Sequence, residues 1–77
     1  LVLIGEAGYF TDPGNKKVHR FTFDGQHEVV DEGIDRPNGI VASSDRTLLT
    51  VADTTGRFTY SFQIQPDGKL AYKQTYG

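Results

Sequence analysis

Asp35-Arg36-Pro37-Asn38-Gly39-Ile40-Val41-Ala42-Ser43-Ser44-Asp45-Arg46-Thr47-Leu48-Leu49-Thr50-Val51-Ala52-Asp53 is the stretch that decides the fold. It opens on Pro37-Asn38-Gly39, three residues that favour tight corners. A short apolar strand follows, Ile40 to Ala42. Ser43 to Arg46 make a second turn, and a second strand, Thr47 to Ala52, closes at Asp53.

The residues before this stretch repeat its pattern. Ile40 matches Leu1 at a distance of 39 residues, Asp53 matches Asp12 at 41, and Asp67-Gly68 matches Asp24-Gly25 at 43. The drift comes from longer turns in the second copy. In the first copy the expected strands are Leu1 to Ile4, Tyr9 to Thr11, Val18 to Phe23 and a weaker Glu28 to Val30. Gly5-Glu6-Ala7-Gly8, Asp12-Pro13-Gly14-Asn15 and Asp24-Gly25 are the turns, and Asp31 to Arg36 is a polar connection. In the second copy Asp53-Thr54-Thr55-Gly56 turns into a strand over Phe58 to Gln65. Pro66-Asp67-Gly68 then leads to the last strand, Leu70 to Gln74. Phe58, Tyr60, Phe62 and Ile64 alternate with polar residues at the strand period, which places them on one packed face. No helix of useful length is predicted.

Four short strands in a unit of about 40 to 45 residues are the mark of a β-propeller blade. The chain therefore reads as an all-β protein of two consecutive four-stranded antiparallel blades, about 1–33 and about 34–77, in one partial propeller domain. The first strand of each blade lines the channel of a propeller and the fourth lies outermost. Two blades leave two apolar sheet faces open, and propellers close with about four to eight. A stretch that starts abruptly inside a strand and stops abruptly after Thr75-Tyr76-Gly77 is expected to be a piece of a longer propeller. Self-association, for instance three copies around one axis, is the alternative way to cover the faces.

Composition narrows the function. The 77 residues contain no cysteine, which excludes a disulfide framework and a thiolate metal site. The formal net charge is -2 and there is no basic block, so no nucleic-acid partner is expected. The longest apolar run, Leu1 to Ile4, is too short to span a bilayer and lacks the flanks of a signal peptide. A soluble protein is expected, with the compartment, cytoplasmic or exported, left open.

Asn38 is the candidate site residue. Pro-Asn-Gly also suits a plain turn, but Asn38 stands just ahead of an innermost strand, at the mouth of a propeller channel. Its amide oxygen is a hard neutral donor of the kind calcium takes in sets of about 6 to 8. Asp12 and Asp53 close equivalent strands and read as caps of the turns that follow. Asp24 and Asp67 are hairpin formers and Asp45 a turn residue, so no catalytic residue is assigned. His19 and His27 lack zinc-pair spacing and a nearby third ligand; both are expected to be ordinary strand residues, His27 exposed. Lys16-Lys17 is a solvated turn.

The motifs Tyr-Phe-Thr-Asp-Pro at 9–13, Val-His-Arg-Phe-x-x-Asp-Gly at 18–25, Arg-Pro-Asn-Gly-Ile at 36–40, Ser-x-Asp-x-x-x-Leu at 43–49 and Val-Ala-Asp-Thr at 51–54 occur in an order that is itself informative. Together they resemble the family of gluconolactonase, senescence marker protein and luciferin-regenerating enzyme. These are six-bladed propellers related in fold to diisopropylfluorophosphatase. The resemblance implies a hydrolase that opens sugar lactones or similar cyclic esters with a divalent metal in the channel. Calcium is the common choice, with zinc, magnesium or manganese as alternatives. Asn38 matches one asparagine ligand of that metal. The family's other asparagine would lie two positions before Leu1, its Glu ligand further upstream, and its Asp ligand, the favoured acid/base, beyond Gly77. This stretch alone is then expected to be inactive. The alternative is a non-catalytic propeller that serves as a binding scaffold, because a repeat does not dictate an activity.

Overall fold

A computed structural model describes residues 1–53 and 58–76. Eight strands run in chain order: β1 (Val2–Ile4), β2 (Ala7–Asp12), β3 (Lys17–Thr22), β4 (His27–Glu32), β5 (Pro37–Ala42), β6 (Leu48–Asp53), β7 (Thr59–Ile64) and β8 (Leu70–Tyr76). They form two antiparallel sheets, β1-β2-β3-β4 and β5-β6-β7-β8, each meandering in sequential order as a propeller blade does. A single 3-10 turn, Pro13–Asn15, is the helical structure among the described residues. None of their helices is long and apolar enough to cross a membrane.

Several boundaries depart from the sequence expectation, each for a physical reason. Ala7 and Gly8 belong to β2 rather than to a turn, because only Gly5 takes positive φ there and Ala7 already pairs with Ile4. Asp31 extends β4 by pairing with Val18, and Lys17 pairs with Glu32. Thr47 and Phe58 fall just outside β6 and β7, and Phe58 is exposed. The expected turn at Thr54, Thr55 and Gly56 lies outside the described residues. Pro37-Asn38-Gly39 is not a turn: all three residues lie in β5.

The two sheets pack face to face. Tyr9 and Val18 of sheet one and Val51 and Phe62 of sheet two are almost fully buried, with Ile34 of the connecting segment between them. Ile34 sits in the segment expected to be a polar connection, and its burial closes the seam where the chain passes from sheet to sheet. Period-two alternation explains the selection. Tyr9 and Val18 point toward sheet two, whereas Leu3, Phe10, His19 and Phe21 occupy the opposite face. On that face the Phe21 ring covers Gly8 so closely that a Cβ there would lie 2.5 Å from the ring.

Polar contacts fix how the sheets sit. The Tyr9 hydroxyl donates to the Gly68 carbonyl at 2.6 Å in a buried setting. Lys73 Nζ of β8 reaches Asp31 Oδ2 of β4 at 3.0 Å and stands over the Tyr60 and Phe62 rings. Burial pushes the Tyr9 phenol above its ordinary pKa, with the nearby Arg20 guanidinium opposing the shift. A raised acid pKa means that stability is full below the ordinary tyrosine value of about 10 and is lost as pH rises through the folded value. Tyr9→Phe is expected to remove that alkaline loss. It should also cost about 1–3 kcal/mol at neutral pH, because the buried Gly68 carbonyl loses its donor. Urea denaturation at neutral and alkaline pH checks both; an unchanged midpoint at neutral pH would show that the bond contributes nothing.

Candidate functional site

β1 and β5 lie side by side, so both sheets start from the same side of the molecule. This is the side that lines the channel of a propeller. Asn38 stands at the entry end of β5. Pro37 pairs with Asp53 and Gly39 with Ala52, which leaves Asn38 as the extra residue of a β-bulge. A bulge kinks its strand and re-aims a side chain, and here it puts Asn38 on the exposed rim while Pro37 beside it is buried. The position is pinned from the neighbouring sheet: the Thr11 hydroxyl donates to the Asn38 main-chain carbonyl at 2.8 Å.

Pro13, Gly14, Arg36 and Asn38 line a cleft of about 350 Å³ at this end of the molecule. The 3-10 turn after β2 forms one wall and the start of β5 the other. No carboxylate is among the described lining residues. Among the described residues no group of three or more His, Cys, Asp or Glu side chains is arranged to hold a metal. Among the described residues the side-chain donor is therefore one hard neutral oxygen, from Asn38, beside the cationic Arg36. That suits one position of an oxygen-ligand shell and falls well short of a calcium site by itself.

The acidic residues fall largely into structural roles. Asp45 caps its turn: the Ser43 hydroxyl donates at 2.7 Å, and the Thr47 hydroxyl and amide donate at 2.8 and 3.1 Å. These donors, Ser43 first, hold its carboxyl below the ordinary range. Asp67 accepts from the Lys69 amide at 3.0 Å, as a hairpin former should. Asp24 accepts from the Thr22 hydroxyl. Asp12 does more than cap. It accepts from the Asn15 amide at 2.9 Å and also contacts His19 at 3.2 Å.

That last contact belongs to a cluster missed from sequence. His19 and His27, read as unrelated strand residues, meet at 2.9 Å across the β3–β4 hairpin, with His19 buried and His27 exposed. The one available signal was their placement, eight residues apart, on either side of the Asp24-Gly25 turn. They meet on a diagonal of one sheet face, because the regular part of the β3–β4 ladder pairs His19 with Val29 and Phe21 with His27.

No curated protein and no solved structure matches the chain. A family model, the SMP-30/Gluconolactonase/LRE-like region, matches residues 2–76. That span takes in both four-stranded sheets and the Asn38 bulge, and the family is a β-propeller family. The chain therefore belongs to the SMP-30/gluconolactonase/LRE-like family.

Proposed function

We propose that these two blades form part of a divalent-metal-dependent lactonase, acting on sugar lactones or similar cyclic esters, and that Asn38 is one of its metal ligands. The observation that carries this reading is the bulge. It holds Asn38 at the channel end of β5, on an exposed rim, with its main chain tied to Thr11 of the neighbouring blade. A ligand must be held in place by its surroundings to bind well, and a bulge residue pinned from a second sheet meets that need. A divalent ion, calcium by the family's habit, supplies polarisation of the ester carbonyl when bound. The remaining ligands and the proton-transferring carboxylate are assigned to other blades, since Asp12 and Asp45 are engaged in the contacts described above.

The test is calorimetric calcium titration and lactone hydrolysis by the propeller that carries this sequence. Asn38→Ala is expected to weaken metal binding by about 100-fold or more, the upper end of what losing a mere supporting partner costs. Activity should fall with it and recover in part at high calcium. Absence of divalent-metal binding, together with an unchanged rate in Asn38→Ala, would overturn the assignment. The second reading, a binding scaffold without catalysis, is favoured by one observation: the described residues lining the cleft, Pro13, Gly14, Arg36 and Asn38, include no carboxylate. It would take over if the propeller held anionic ligands and no cation.

A further inference from the structure

The face of sheet one turned away from sheet two carries a line of polar groups that the proposed site does not use. Asp12 ends β2, His19 lies in β3 and His27 begins β4. His19 Nε2 is 3.2 Å from Asp12 Oδ2, and His19 Nδ1 is 2.9 Å from His27 Nε2. The two imidazole planes lie within 10° of each other with centroids 4.9 Å apart. At that separation the rings meet edge to edge, along an N–H···N line, rather than through their faces. Phe10 is the floor beneath both: its ring stacks on His19 at 4.7 Å and lies parallel to His27 at 6.1 Å.

Counting protons along this line fixes the tautomers. A carboxylate only accepts, so His19 Nε2 carries the hydrogen that faces Asp12. A neutral His19 then presents a lone pair at Nδ1, and His27 Nε2 must donate to it. One further proton fits at His27 Nδ1 and leaves both bonds intact. A second added proton goes to His19 Nδ1. It sets two N–H groups against each other on one 2.9 Å line, and the contact cannot persist.

We propose that Asp12, His19 and His27 form a proton-counting latch that fastens β4 to β3, shut with up to one added proton and opened by the second. The exposed His27 is the moving part, and its release uncovers the Phe10 ring. The latch sits beside the register shift between Val18 and His19, where a side-chain fastening matters most because the backbone ladder is interrupted. Other charged groups nearby are already matched. Lys17 and Glu32 pair at 3.8 Å on the same face. Arg20 and Glu28, at 3.9 Å, and Asp31 with Lys73 of sheet two lie on the opposite face. Asp12 stays ionised as the imidazoles load, since Asn15 first and His19 after it hold its carboxyl below the ordinary range.

The test is long-range proton–nitrogen correlation spectroscopy of the imidazole rings against pH on the full chain, with amide hydrogen exchange of β4 corrected for its intrinsic pH dependence. At neutral pH His19 is expected as the Nε2–H tautomer. On acidification to the doubly protonated pair, β4 exchange should rise about tenfold, the worth of one hydrogen bond. His27→Phe keeps a ring over Phe10 and removes the second proton, so its β4 exchange should not rise in acid. An Nδ1–H tautomer of His19 at neutral pH would overturn the proposal. So would the same acid-induced rise in wild type and His27→Phe. The tautomer is read on the unsubstituted protein, so the proposal stays testable even if the variant does not fold.

Discussion

Phe62→Ala is expected to abolish cooperative folding of the chain or bring it to the edge of doing so. Phe62 is 2% exposed at the centre of the contact between the sheets, with Val18, Ile34 and Val51 around it. Truncating a buried phenylalanine to alanine costs about 3–5 kcal/mol, in lost transfer energy and in the cavity left behind. Small domains have little to spare: total stabilities run from about 5 kcal/mol upward, and a short chain buries a small share of its surface. The substitution also strips the ring beneath the Lys73 ammonium, 5.7 Å away, and so loosens the group that pairs with Asp31 across the sheets. Thermal denaturation followed by circular dichroism checks this. Each kcal/mol is worth roughly 4–8 °C in Tm at this size, so a fall of only a few degrees would show that the sheets do not depend on this contact. Phe62→Leu, which fills most of the space, should be much milder.

Gly68→Ala is expected to cost about 2–3 kcal/mol, more than a turn glycine would ordinarily suggest. Two effects add. Gly68 has φ +87°, a region in which a side chain is strained by about 1 kcal/mol or more. In addition, a Cβ there would run into the Arg20 guanidinium, which lies directly on the turn. Arg20 is held on its other side by Glu28, 3.9 Å away. Its Nε is buried without a hydrogen-bond partner among the described residues, and the group lies between the turn and Glu28. Displacing it would also disturb the bond from Tyr9 to the Gly68 carbonyl. Gly25→Ala is the control. That glycine also has positive φ, at +103°, but a Cβ there meets nothing within 4 Å, so backbone strain acts alone. Urea midpoints of the two variants separate strain from collision. Equal losses would show that Arg20 moves aside freely, and a double-mutant cycle with Arg20→Ala would then give no coupling.

Particular residues show how far the sequence could be read. Phe58, Tyr60, Phe62 and Ile64 announced a strand because alternation is a local property, and Tyr60 and Phe62 do pack between the sheets. Asp24-Gly25 and Asp67-Gly68 announced hairpins for the same reason: turn chemistry acts within four residues. Asn38 was legible as a candidate but not in its conformation. Asn and Gly suit a corner and a bulge alike, and the pairing of Pro37 with Asp53 across β6 decided for the bulge. Ile34 looked like part of a polar connection, because nothing adjacent to it signals the neighbouring sheet that buries it. His19 and His27 looked unrelated, because their diagonal contact follows from the β3–β4 register, His19 opposite Val29 and Phe21 opposite His27, which must be known before the pair can be seen.

The sequence by itself determined an all-β chain of two four-strand units, their repeat and their turns, since these follow from side-chain period and backbone preferences over a few residues. Tertiary structure alone decided which face of each sheet is covered. It also decided that Tyr9 anchors to a carbonyl 59 residues away, that Thr11 pins Asn38, and that Asp12, His19 and His27 form one line. The first two contacts join residues distant in the chain, and all of them depend on register and sheet packing, which no local pattern of residues encodes.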